Sequence, residues 1–278
     1  MRVYEHACNF WVCMVAAPIA DRNPGIDDRE TKCGPALRQK SAMFLDPRSQ
    51  NHLLASLCPA DFESLHPDLR AFDLISETVL VEAGDPVLRV YFPLSGIISL
   101  VVRLMNGEAV EAAMVGRDGE FGAGAALVDG QISTATAIVP RGGKALTIDV
   151  APLRIAAEHN PSLRGRLVRF EQVIHAQALQ SAACNATHTV QARLSRWLLR
   201  ARDLSGSDTL TFSQEVLAEM LGRHRNSVSI VANSLQEAGL ITYNRAQIEI
   251  LDVEGLMKSS CECYGAVQKQ TDRLLQNV

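Results

Sequence analysis

The hydrophobic period of this chain changes near Pro152, and that change limits the fold more than any other feature of the sequence. Between residues 74 and 150 the apolar residues fall into short β-branched runs at 78–81, 87–92, 97–104, 109–115, 135–139 and 145–150. Turn signals separate them: Ala83-Gly84-Asp85, Ser95-Gly96, Asn106-Gly107, Gly116-Arg117-Asp118-Gly119, Asp129-Gly130 and Arg141-Gly142-Gly143. Turns about every ten residues predict a β-sandwich, barrel or roll. In the run 97–104, strict alternation puts Ile98, Leu100, Val102 and Leu104 on a packed face, with Ser99 and Arg103 toward solvent. Two short helices, near 50–57 and 61–65, are expected before the first strand.

Past Pro152 the spacing becomes helical, with a break at Asn160-Pro161. A long helix is expected from about Ser162 to Cys184, its stripe formed by Leu163, Leu167, Phe170, Ile174, Gln177 and Ser181. A single stripe does not name its partner: it can pack on the chain's own β-domain, or form a parallel seam with a second copy. A further helix, with Val190, Leu194, Trp197, Leu198 and Ala201 on one side, runs to the turn Ser205-Gly206-Ser207-Asp208.

The stretch 211–251 carries the most specific pattern. Ser213 can cap a helix with Val216, Leu217, Met220 and Leu221 inward; Gly222 ends it, and a second helix begins three residues later. In that second helix Val228, Val231, Ala232 and Leu235 form the buried face, leaving Arg225, Asn226, Ser227 and Ser229 as a polar edge. An arginine can pair bidentately with guanine and an asparagine with adenine, while hydroxyls reach phosphates, so this edge suits a major-groove reader. Two alternating strands, 240–243 and 247–251, then form a wing around the turn 244–246. The alternative is a helical hairpin and ribbon used only for packing.

The net charge of −4 excludes a generic nucleic-acid coat, so any DNA contact must be local. The seven cysteines, at 8, 13, 33, 58, 184, 261 and 263, form an odd set in a chain that needs no disulfide framework, which suits a reducing cytosol. The apolar run 10–20 lacks the flanks of a signal peptide, and residues 21–40 read as part of a flexible extension, with Met43 an alternative start. No later run reaches the roughly 18 apolar residues of a membrane span, so a soluble, cytoplasmic protein is expected.

Residues 44–264 resemble the Crp/Fnr family of bacterial transcription regulators over nearly four-fifths of the chain. The resemblance rests on Glu82-Ala83-Gly84-Asp85, Tyr91-Phe92-Pro93-Leu94-Ser95-Gly96, Val115-Gly116-Arg117-Asp118-Gly119, the long helix, and the segment from Gln214 to Leu240. It implies an α+β chain in five parts: an extension (1–43), a cyclic-nucleotide-binding-like double-stranded β-helix or jelly roll (44–160), a dimerisation helix (161–184), a winged helix-turn-helix domain (185–257) and a helical tail (258–278). It also implies a homodimer on palindromic double-stranded DNA, with RNA polymerase as a further partner. Within Gly222-Arg223-His224-Arg225-Asn226-Ser227-Val228, Arg225 takes the base-reading place, and Asn226 stands where glutamate is frequent. The candidate DNA-contacting set is Ser213, Arg223, His224, Arg225, Asn226, Ser227 and Ser229.

Cyclic-nucleotide binders of this fold hold the ribose and phosphate with a glutamate and an arginine. Here Ala123 and Ser133 occupy those places, which argues against a conventional cAMP or cGMP site, and Arg117 and Arg141 read as solvated loop residues. The spacing of Cys8, Cys13, Cys33 and Cys58 matches no compact iron–sulfur pattern. Cys261-Glu262-Cys263 is a weak metal signal without a second pair, and His188 and His224 read as a structural and a phosphate-contacting residue rather than as ligands. No metal or cofactor is therefore expected. No nucleophile elbow, phosphate loop or metal pair points to an enzyme. The competing class is a small-molecule-binding module that acts through protein contacts.

Overall fold

A computed structural model describes residues 47–128 and 131–276, which all belong to one compact unit. The expected extension 1–43, with Cys8, Cys13 and Cys33, and the Asp129-Gly130 turn lie outside the described residues. In chain order the elements are α1 (His52–Ser56), α2 (Pro59–Leu65), β1 (Arg70–Leu74), β2 (Val79–Val81), β3 (Arg89–Pro93), β4 (Ile97–Arg103) and β5 (Ala109–Val115). There follow α3 (Gly124–Leu127), β6 (Thr136–Arg141), β7 (Gly143–Asp149), α4 (Val150–His159), α5 (Pro161–Thr187) and α6 (Val190–Ser205). The C-terminal part holds β8 (Thr209–Thr211), α7 (Gln214–Leu221), α8 (Arg225–Glu237), β9 (Ile241–Asn244), β10 (Gln247–Ile250), α9 (Val253–Ser259) and α10 (Cys263–Gln276).

Two antiparallel sheets, ordered β1-β7-β3 and β2-β6-β4-β5, make the β-roll. Its core holds Val90, Phe92, Ile98, Val115 and Ile148, and it continues without a break into Leu163, Leu167, Phe170 and Val173 of α5. The stripe considered above as a seam between copies therefore faces the chain's own β-domain, with Leu163 and Phe170 fully buried. Gly119 shows how close that packing is: a Cβ there would meet Phe170 Cζ at 1.7 Å.

Strict alternation fails in β4. Ser99 is buried rather than solvent-facing, whereas Val102 and Leu104 are exposed. The physical reason is a second packed layer: Ile97 and Val101 join the core of the C-terminal domain with Leu194, Trp197 and Leu210, and a bulge at Leu100/Val101 shifts the register with β5. β1 escapes a reading by periodicity because its charges, Arg70 and Asp73, sit on an exposed edge where Asp73 pairs with Lys144. The short β8 escapes it too; it joins the wing sheet in the order β8-β10-β9.

The tail does not trail away. α10 runs antiparallel along α5, with Gln180 meeting Cys263 at one end and Arg166 meeting Leu275 at the other. Leu274 and Leu275 pack against the β-roll core.

Candidate nucleic-acid interface and sensor cavity

Ser213 caps α7 by accepting the Val216 N–H at 3.2 Å, and Gly222 closes it with φ +56°, a left-handed conformation that favours glycine. A Cβ on Gly222 would also meet Val110 Cγ2 at 2.4 Å, so the turn of the helix-turn-helix lies directly against β5. Val228, Ala232 and Leu235 bury one face of α8, with Val231 half-buried. Arg223, His224, Arg225, Asn226 and Ser227 are all exposed at the N-terminal end of that helix, and Ser229 is half-buried.

The tip is held from behind. Gln214 Oε1 accepts from Arg225 Nε at 3.2 Å and from Ser229 Oγ at 2.7 Å, and Glu215 pairs with Arg225 at 2.7 Å. The first turn of α8 contains no acidic residue, so cations gather at the positive end of the helix dipole. That arrangement is unfavourable for an isolated helix, and a phosphate would relieve it. The wing turns through Arg245 (φ 45°) and Ala246 (φ 72°), both with positive φ as in a type I′ hairpin. Arg245 is exposed at the wing tip, a cation that no sequence motif singles out. Tyr243 donates to Phe212 O at 3.2 Å, and burial pushes its phenol up to about 12, so this bond persists across the physiological range.

In the β-roll, Glu120, Gln131, Ser133, Glu171 and Ile174 are among the residues lining a cavity of about 100 Å³. Of the two residues singled out in the sequence, Ser133 lines this cavity and donates to Ala135 O at 2.6 Å, while Ala123 is buried beside it and donates its N–H to Glu120 at 2.9 Å. Glu171, on α5, accepts the Gly124 N–H at 2.8 Å. Burial, reinforced by the charge of Glu171, pushes the Glu120 carboxyl well above the usual carboxylate range; burial raises Glu171 as well. The residues lining the cavity thus include two carboxyls and no cationic side chain, where an anion would need a cation. Arg117 and Arg141, expected as solvated loop residues, are half-buried, Arg117 with its side chain beside Gly206.

A second group of side chains is brought together only by the fold. Cys184, His188, Cys261 and Cys263 come together at the end of α5 and the start of α10, each offering one potential ligand atom within 4.8 Å of the others. Neither 77 residues of separation nor the lone Cys-x-Cys announces this; the only local hint is the four-residue step from Cys184 to His188, the residue that ends α5 and donates its N–H to Cys184 O.

A β-roll, a long helix and a winged helix-turn-helix follow one another in this order along the chain. Residues 192–259 match the Crp-like helix-turn-helix domain family. The fold is that of FixK2 from Bradyrhizobium japonicum, at 17% identity and TM-score 0.60, covering 69% of this chain and 98% of that one. It is also that of a Crp/Fnr-family transcriptional regulator from Thermus thermophilus, at 23% identity and TM-score 0.56, covering 69% and 98%. The c-di-GMP-responsive global regulator CLP of Xanthomonas campestris is similar too, at 16% identity and TM-score 0.56, covering 69% and 99%. No curated protein matches the chain by sequence. Among the described residues, no helix is long and apolar enough to cross a membrane.

Proposed function

We propose that this chain is a homodimeric, cytoplasmic regulator of the Crp/Fnr type that binds a palindromic operator through α8 and the wing. The carrying observation is the exposed, polar, cationic tip Arg223–Ser227 at the start of a helix whose other face is packed. Arg225 reads a guanine, Asn226 contacts a neighbouring base, and Arg223, His224, Ser227 and the wing-tip Arg245 hold phosphates. Ser213 and Ser229 act from behind: one caps α7, and the other shares Gln214 with Arg225.

The dimer forms through the outer face of α5. Arg164, Val168, Gln172, His175, Leu179, Ala182 and Ala186 recur there every three or four residues and are all exposed, Leu179 at 60%. A two-fold pairing along this stripe offers two recognition helices about one DNA turn apart. The β-roll senses the signal, and it is not a conventional cyclic-nucleotide site. Its acidic lining supports this reading, as does a cavity smaller than the roughly 300–1,000 Å³ of ordinary ligand pockets. RNA polymerase is the further partner, and catalysis has no part in this reading.

Random-site selection followed by gel shift tests the proposal. An inverted repeat should be enriched, and Arg225→Ala should weaken binding to it by about 10- to 100-fold, the cost of one bidentate base contact. Failure to enrich any repeat, with Arg225→Ala equal to wild type, would leave the winged domain as a protein-contacting module.

A further inference from the structure

The group formed by Cys184, His188, Cys261 and Cys263 has the composition and the spacing of a metal centre. Cys184 Sγ lies 3.5 Å from Cys261 Sγ, far beyond the roughly 2.05 Å of a disulfide. Cys263 Sγ lies 3.6 Å from His188 Nδ1. Around a tetrahedral zinc ion with bonds of about 2.3 Å to sulfur and 2.0–2.1 Å to nitrogen, neighbouring ligand atoms stand roughly 3.5–3.8 Å apart, so small side-chain adjustments would close the shell. The three sulfurs are buried, and four protein ligands leave no open position, which is the pattern of a structural rather than a catalytic site.

The surroundings fit the same ion. Glu262 Oε1 lies 3.2 Å from His188 Nε2, leaving Nδ1 facing Cys263, the carboxylate–histidine–metal arrangement that fixes a ligand's tautomer. Gln180 Nε2 donates to Cys263 Sγ at 3.0 Å, a bond that stabilises a thiolate. Simple packing accounts for three small buried residues, but it does not account for an imidazole nitrogen aimed at a thiol with a carboxylate on its far side. An iron–sulfur cluster interposes iron and sulfide between its cysteines and needs them farther apart than these.

We propose that Cys184, His188 (through Nδ1), Cys261 and Cys263 bind one zinc ion, which fastens the start of α10 to the junction of α5 and α6. Binding displaces the protons of the three thiols, and no electron transfer is involved. None of its four residues belongs to the candidate DNA-contacting set, and its test needs no DNA.

Full-length protein purified under reductant and without chelator should carry one zinc per chain, and zinc-edge X-ray absorption should find three sulfurs and one nitrogen around it. Cys184→Ser and Cys263→Ser should lose the metal, while Cys58→Ser and a triple Cys8→Ser, Cys13→Ser, Cys33→Ser variant should keep it. Should the first two variants not fold, the wild-type chain answers instead: stripped of zinc and titrated with Co²⁺, it should develop thiolate-to-cobalt and tetrahedral bands that saturate at one equivalent. The proposal is overturned by a reduced wild-type chain that binds neither ion, by metal that depends on Cys8, Cys13 and Cys33 instead, by iron and sulfide in place of zinc, or by a Cys184–Cys261 disulfide in protein kept under reductant.

Discussion

Replacing Glu111 by glutamine should make the protein more stable at alkaline pH and leave it unchanged in acid. Glu111 is buried on β5, where it accepts from Ser99 Oγ and from Trp197 Nε1, the latter at 3.0 Å. Trp197, on α6, stands edge-on to Phe212 with ring centres 4.7 Å apart, so this carboxyl joins the β-roll to the core of the winged domain. Burial pushes its pKa from 4.5 up to about 7, although Ser99, Arg196, Trp197 and Arg200 all favour the charged form. The folded state therefore keeps a proton that the unfolded chain has already released between those two values. Stability from this group is fully present below about pH 4.5 and is lost as pH rises through 7.

By pH 8 the loss amounts to about 3 kcal/mol. Glutamine keeps the shape: its carbonyl accepts from Trp197 and its amide donates to Ser99 Oγ. Glu111→Gln should then exceed wild type by up to about 3 kcal/mol at pH 8, or roughly 6–12 °C in Tm, and match it near pH 4.5. Urea and thermal unfolding by circular dichroism across this range would measure the difference, in which the titrations of Glu120 and Glu171 cancel. A loss of stability larger at pH 8 than at pH 4.5 would refute the reasoning, because the charged form would then be the one the site stabilises.

Gly119→Ala places a methyl inside the Phe170 ring, at 1.7 Å, and should cost at least about 3 kcal/mol, read as a fall in Tm; a neutral result would mean that α5 can lift off the roll. Cyclic AMP and cyclic GMP, even at millimolar concentration, should leave Tm unchanged, because Glu120 and Glu171 line the cavity and no arginine stands at Ser133. A rise that grows with the logarithm of nucleotide concentration would contradict this.

The helix-turn-helix is legible in the sequence because its signals are local: Ser213 as cap, Gly222 as stop, and a polar edge set against Val228, Ala232 and Leu235 within one helix. The strands of the roll are legible for the same reason, from alternation bounded by glycine turns. What sequence does not supply is which element covers each face. Ser99 reads as solvent-facing until α6 arrives to bury it, and the α5 stripe reads equally as a seam or a core until Phe170 is seen against Gly119. The Cys/His group and the second carboxylate of the cavity, Glu171, share this character, since each is made by segments far apart in the chain meeting at α5.

The return of α10 to α5 has a mechanical consequence. The winged domain packs on β4 and β5, and its chain is in addition tied to the β-roll side at both ends, through α5 and through α10, rather than hung from the end of one helix. A body on a single pivot can swing in any direction, whereas one with two anchorages turns mainly about the line joining them. Any reorientation of the recognition helix should thereby be confined to a narrow arc. Trimming the last turn of the chain at Leu274 and Leu275 would free that arc while removing no residue of the DNA-reading surface.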